Sequence, residues 1–188
     1  MRIYLIRHGE TTGDIEGRYG GDYEDHLSDK GKQQAMQLAI NLKNKGIQII
    51  YYSSRIRAKE TAQIVNDVLN VKLEIVDDLR ERNNYGILTG MTKLEAKQKY
   101  PEEVEKLSKG LRHNVKDSEG YESFRKRVVR GFEKIIKNEE YDVCAVISHS
   151  GPIRCIFREA LKLEEPEHIG DCEVIGLEKK NSEIFVFN

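Results

Sequence analysis

Apolar and polar positions along the chain follow two alternating periods. Ile3 to Ile6 is an unbroken apolar, β-branched and aromatic run, the pattern of a strand buried on both faces. Asp142 to Ile147 repeats it, and Ile47 to Ser54, Lys72 to Val76, 173 to 178 and 183 to 187 are shorter strand candidates. The last two are expected to pair as a hairpin around Asn181 and Ser182.

Between the strands the period changes to 3.6. Ser28 reads as an N-cap, Ala35, Leu38, Ala39 and Leu42 as the apolar stripe that follows, and Gly46 as the stop. A second helix opens near Arg57 and continues through Ile64, Val65, Val68 and Leu69. A third opens near Ser118 with Tyr121, Phe124, Val128, Phe132, Ile135 and Ile136 on its buried face. A fourth takes Pro152 as its first residue and carries Ile153, Ile156, Phe157, Ala160 and Leu161. Residues 93 to 109 are helical but strongly charged, and Pro101 divides them at Tyr100. That segment is expected to lie across the mouth of the sheet. Thr11 to His26 has weak periodicity and is expected to be a loop, functional because of its place beside the first strand.

Strands alternating with helices predict an α/β fold with a largely parallel sheet, whose right-handed crossovers bring the parallel strand ends to one edge. The 188 residues suit a single domain. The first strand ends in Arg7-His8-Gly9-Glu10-Thr11, and the strand at 142 to 147 ends in Ser148-His149-Ser150-Gly151. Ligands in open α/β sheets bind outside the carboxyl ends of the strands. Arg57, in the first turn of a helix, is unfavourable beside the helix dipole unless an anion is near. Taken singly each residue reads equally as a surface turn or a solvated cation. Together, two guanidinium groups and two imidazoles converge, and a phosphate fits such a cluster because arginine forks match its oxygens.

Composition narrows the partner. Lys plus Arg (31) nearly balance Asp plus Glu (32), a formal charge of −1, so no global basic field points to nucleic acid. No apolar run approaches membrane-spanning length and no signal peptide opens the chain, which makes a cytoplasmic, membrane-free protein the expectation. The five histidines show no HxH or HExxH spacing, and no GxxxxGK[ST] is present, so neither a metal nor a P-loop nucleotide site is expected. Cys144, Cys155 and Cys172 lack CxxC spacing and read as core or near-core thiols.

Five ordered blocks now carry a resemblance. They are Arg7-His8-Gly9-Glu10-Thr11; Leu27-Ser28 with Gly31 and Gln34-Ala35; Ser53 with Arg57-Ala58 and Thr61-Ala62; Leu79-Arg80-Glu81 with Tyr85-Gly86; and Ser148-His149-Ser150-Gly151. In this order they resemble the histidine phosphatase superfamily, also called the phosphoglycerate mutase-like family. The resemblance implies a three-layer α/β/α sandwich with a mostly parallel central sheet and a helical cap at about 89 to 118. It implies His8 as nucleophile, Glu81 as general acid and base, and His149 as a further catalytic group. Arg7, Arg57, His149 and Ser150 would hold the phosphate. Thr11, Asp14, Arg18, Gly20, Gly21, Arg82 and Tyr85 are the substrate-side candidates. His8 must be neutral to attack, so its other ring nitrogen is expected to donate to a carbonyl, and Glu81 must be protonated part of the time, which favours mildly acidic or neutral pH.

Two departures stand out. Asp14 occupies a position where the family often has Asn, and Arg18-Tyr19-Gly20-Gly21 stands where RxQG often follows. A carboxylate cannot donate to phosphate, so Asp14 is expected to pair with Arg18 or to meet a hydroxyl or amine of the substrate. The leading expectation is a metal-independent phosphomonoesterase for small-molecule phosphate esters, with no cofactor and with a homodimer allowed. A cofactor-dependent phosphoglycerate mutase is the alternative, suggested by Glu81-Arg82 and Tyr85-Gly86 but disfavoured by the short cap. A non-catalytic phosphate-binding or regulatory protein is the third.

Overall fold

The computed structural model describes residues 1–109, 115–181 and 183–187. Residues 110 to 114 of the expected cap, His113 among them, and Ser182 of the expected hairpin lie outside the described residues. Six strands form one sheet: β1 (Arg2–Arg7), β2 (Ile49–Tyr52), β3 (Lys72–Ile75), β4 (Val143–Ser148), β5 (Val174–Lys180) and β6 (Glu183–Phe187), in the order β3-β2-β4-β1-β5-β6. The first four in that order run parallel, and β5 and β6 add an antiparallel edge. The expected mostly parallel sheet is therefore present.

Alternation along β1 explains the layers. Tyr4 and Ile6 pack with Leu38, Ala39 and Leu42 of α2 (Asp29–Leu42) and Ala58, Ala62 and Val65 of α3 (Ile56–Leu69). Ile3 and Leu5 face the other way, onto Phe124, Val128, Phe132 and Ile135 of α6 (Tyr121–Ile136) and Ile153 of α7 (Ser150–Cys155). A strand covered on both faces has no polar side, hence the unbroken apolar run. Cys144 and Cys155 are buried and Cys172 is half-buried. The charged segment forms α4 (Lys93–Lys99) and α5 (Pro101–Ser108), meeting at Tyr100 as expected from Pro101. Their apolar side joins a separate small cluster centred on Tyr19, Leu88, Ala96 and Val115.

Local elements differ from the expectations in several places. The loop from Thr11 contains one helical turn, α1 (Thr12–Ile15), because Thr11 and Asp14 make a reciprocal capping box. The third helix begins at Tyr121, three residues past Ser118. The last helix starts at Ser150, two residues before Pro152, and residues 156–161 continue it with π-type winding. Between β3 and Glu81 the chain makes a 3₁₀ turn at Asp77–Leu79.

Gly31 is required by close approach. A Cβ there would lie 2.0 Å from the Glu10 carbonyl oxygen, and one on Gly9 would lie 2.6 Å from the Gly31 oxygen. The backbone carrying His8 thus rests directly on the start of α2. Gly31→Ala is expected to destabilise the fold by about 1–3 kcal/mol, as overpacking does, seen as a lower melting temperature.

Candidate active site

Strand register builds the site. Arg7 pairs with Ser148 across β1 and β4, and Tyr52 with Ile147 across β2 and β4. One residue beyond, three adjacent parallel strands deliver His8, His149 and Ser53 side by side, with His8 N–H donating to the Ser148 carbonyl at 3.0 Å. The two imidazoles stand edge to face with centroids 5.0 Å apart.

His8 is 5% exposed. Its Nδ1 lies 2.7 Å from the Gly9 carbonyl, and its Nε2 lies 3.2 Å from Arg57 Nε. Arginine only donates, so Nε2 carries the lone pair and Nδ1 the proton that goes to Gly9. Burial holds the ring well below the usual histidine pKa, and the neighbouring Arg57 and Arg7 push the same way. The result is a neutral ring with Nε2 as its free base. That is the tautomer expected of a nucleophile.

His149 is fully buried, with Nε2 2.8 Å from Ser53 Oγ and with no hydrogen-bond partner for Nδ1 among the described residues. Burial, then Arg57 and His8, lowers its pKa as well. Both rings therefore stay neutral where an unfolded chain would take up protons. Below about pH 6.5, the ordinary value, the unfolded state binds more protons and the fold loses up to ~1.4 kcal/mol per pH unit per ring. His26, exposed and raised by Glu60, opposes this weakly. The urea midpoint is expected to drop between pH 7 and pH 5; a flat midpoint over that window would mean that the rings are already charged in the fold.

Arg57, 4% exposed at the start of α3, spends its fork on the protein. Nη1 donates to the Tyr23 carbonyl and Nη2 to the Gly21 carbonyl, each at 2.8 Å. It thereby ties the loop of residues 20–25 to His8. Burial lowers its pKa, with Glu81 and Tyr23 countering, and a guanidinium so placed is still a cation at neutral pH. Arg7 donates from Nη1 to the Ile169 carbonyl at 2.9 Å and pairs from Nη2 with Asp171 at 3.1 Å. Glu81 accepts from the Arg82 N–H at 2.8 Å and the Gly151 N–H at 3.1 Å. A Cβ at position 151 would come within 2.1 Å of the Glu81 carboxylate, so a larger residue there would displace that carboxylate from its hydrogen bonds.

These groups surround a cleft that opens to solvent. Arg7, His8, Thr11, Asp14, Gly20, Gly21, Arg57, Glu81 and Ser150 line it, and His149 sits beside His8. Three expected substrate contacts are elsewhere. Arg18 bonds Glu16 and the Gly90 carbonyl. Arg82 donates to the Glu119 carbonyl and lies over the Tyr121 and Phe124 rings. Tyr85 packs on Tyr19 in the cap cluster. The Asp14–Arg18 pairing is also absent, because the Asp14 carboxylate accepts from Thr11 N–H and Oγ1 instead.

Two lining residues escaped the sequence reading. Tyr23 donates to Asp25 at 2.9 Å, and Asp25 also accepts from Thr12 Oγ1 and the Gly13 N–H. Burial works against the Asp25 carboxylate, but its hydrogen bonds outweigh burial and hold the pKa below the usual value. The only sequence signal for the pair was the polar Tyr-Glu-Asp stretch in the loop after His8. Among the described residues no group of three or more His, Cys, Asp or Glu is placed to hold a metal ion, and no helix is long and apolar enough to cross a membrane.

Comparison with known proteins places these features in a family. A model of the histidine phosphatase superfamily (branch 1) matches residues 3–184. Phosphoglycerate mutase-like protein 4 of Arabidopsis thaliana is 34% identical over 84% of this chain and 70% of its own. The metal-independent phosphoserine phosphatase of the same plant is 32% identical over 82% of this chain and 66% of its own. The crystal structure of the alpha-ribazole phosphatase from Shigella flexneri superposes with a TM-score of 0.86 at 22% identity, covering all of this chain and 95% of that one.

Proposed function

The chain belongs to the histidine phosphatase superfamily, and from that premise we propose that it is a phosphatase hydrolysing small-molecule phosphate monoesters through a phosphohistidine on His8, without a metal. The observation that carries this reading is the neutral His8 ring, its proton held by the Gly9 carbonyl and its Nε2 lone pair beside Arg57, in a cleft that Arg7 also lines.

In the first step the Nε2 lone pair attacks phosphorus in line, a P–N bond forms and the P–O bond to the alcohol breaks. Arg57 Nε must leave Nε2 as the phosphoryl group arrives, and its freed donor, with Arg7, then meets the equatorial oxygens. Protonated Glu81 gives its proton to the leaving oxygen. In the second step Glu81 takes a proton from water, the hydroxide attacks phosphorus, and the P–N electron pair returns to Nε2. The unpaired Nδ1 of His149 is a buried group that a phosphoryl oxygen would satisfy.

Hydrolysis is favoured over mutase chemistry by the fate of the mutase-like block. Arg82 and Tyr85 are committed to Glu119 and Tyr19, away from the cleft. The alcohol side also lacks a spare cation among the described residues. Besides Arg7 and Arg57 the charged lining residues are Asp14, Asp25 and Glu81, which favours alcohols without added negative charge. The related phosphoserine phosphatase takes its name from an amine-bearing ester.

Phosphate release from a panel of monoesters in the presence of EDTA tests the reading; no release from any ester, or release that requires metal, would sink it. Glu81→Gln sharpens the test of roles. It is expected to slow alkyl esters about 10²–10⁴-fold, the usual scale of acid–base catalysis, and p-nitrophenyl phosphate much less, because a phenolate leaves without a proton. Equal losses on both would remove Glu81 from the acid role.

A further inference from the structure

Arg7, at one side of the cleft, is held by a segment that the reaction above does not use. Ile169 to Glu173 wraps the end of β1. The Ile169 carbonyl accepts from Arg7 Nη1 at 2.9 Å, and the Asp171 carboxylate lies 3.1 Å from Arg7 Nη2. Cys172 N–H donates to the Arg7 and His8 carbonyls at 3.1 and 3.3 Å, and Arg7 N–H donates to the Glu173 carbonyl at 3.3 Å. Cys172 adopts a φ of 55° there, a left-handed conformation that a non-glycine residue keeps only where its surroundings dictate it. The backbone of this segment alone is therefore sufficient to bind it to β1. Asp171 is not needed for that.

What Asp171 touches is the guanidinium. The Arg7 and Asp171 side chains are 22% and 21% exposed, so the pair is neither freely solvated nor sealed in the core. We propose that Asp171 is a positioning residue: together with the Ile169 carbonyl it fixes two N–H donors of Arg7, so that the remaining donors are aimed at the phosphoryl oxygens above His8. The inference rests on the reading of Arg7 as a phosphate-holding group.

A guanidinium has five donors in a rigid fork. Two anchors on separate terminal nitrogens define the plane of that fork, whereas one anchor leaves it free to rotate. Catalysis is sensitive to such aim, since small misplacements of a binding group cost far more in rate than in stability. Asp171 also offsets the repulsion between Arg7 and Arg57, both of which line the cleft. Arg57 is anchored differently, by two carbonyls of the 20–25 loop, so the two guanidinium groups are fixed by separate segments of the chain.

The test is a double-mutant cycle on the full chain, using Asp171→Asn, Arg7→Ala and their combination. Inorganic phosphate affinity is measured by titration calorimetry, kcat and KM on an active ester, and folding by thermal melts. Arg7→Met replaces Arg7→Ala if the latter does not fold. Asp171→Asn is expected to weaken phosphate binding about fivefold and to lower kcat/KM about tenfold while the melting temperature stays near that of the wild type. In the Arg7→Ala background the same change is expected to alter either constant less than twofold. Equal losses in both backgrounds, or an unchanged phosphate affinity in the single variant, would overturn the proposal. Because phosphate binding is read without turnover, a wild type that shows the coupling yet cleaves no ester would contradict the hydrolase reading and leave Asp171 in its role.

Discussion

Alanine in place of His8 is expected to reduce turnover of any phosphate ester by about 10⁴-fold or more, the scale on which enzymes lose activity when their nucleophile is removed. Among the described residues that line the cleft no second histidine stands ready to replace it. His149, the other imidazole, is fully buried with its Nε2 engaged by Ser53. Steady-state release of phosphate on the fastest ester measures the loss. The fold should survive, because His8 lies at the cleft and the packing of β1 depends on Ile3 to Ile6; a circular dichroism melt checks this, and His8→Gln, closer in volume, serves as the companion variant. Activity within tenfold of the wild type would show that another group attacks phosphorus.

Arg57→Ala is expected to have the second largest effect, and on two quantities together. The guanidinium contacts His8 Nε2 and carries the carbonyls of Gly21 and Tyr23. Losing a charged donor aimed at the transferring group costs about 10²–10³ in kcat. Leaving two carbonyls without their donor adds roughly 2 kcal/mol of destabilisation, seen as a melting temperature several degrees lower. Arg57→Lys separates the two effects. It keeps the charge but not the fork, and is expected to recover part of the phosphate affinity while the loop of residues 20–25 stays loosened, measurable as faster amide exchange there. A fully active Arg57→Ala would contradict the assignment of this residue to the phosphate.

The core of the site was legible because it is local to strand ends. A continuous apolar run fixes a buried strand, and parallel neighbours then place the residues just beyond Arg7 and Ser148 together whatever the rest of the chain does. His8 and His149 follow from that geometry, Arg57 from its place in the first turn of α3, and the carbonyl-held tautomer of His8 from the role that the resemblance implies. The rim was not legible, because it depends on partners distant in sequence. Asp22 pairs with Arg55 and Arg80, and Glu24 caps the start of α3 through the Ile56 N–H, so the path of the loop that presents Gly20, Gly21, Tyr23 and Asp25 is written in α3 and beyond. Asp14 went to Thr11 rather than Arg18 because the capping box closes over three residues, with two neighbouring donors already in place. Arg82 and Tyr85 lie in a block that matches the family, yet the Glu119 carbonyl and the Tyr19 ring draw them away from the cleft. A motif fixes which residues are near a site; whether each side chain turns into it is decided by nonlocal contacts.

A covalent phosphate on His8 Nε2 is the intermediate on which every other assigned role depends. Wild-type protein mixed with its fastest ester, quenched in alkali within one turnover and digested, is expected to show phosphate on the peptide that contains His8. The label should resist alkali, be lost in acid, and be absent from the His8→Ala protein treated in the same way. Turnover with no label on that peptide, or a label carried by the His149 peptide instead, would contradict the account.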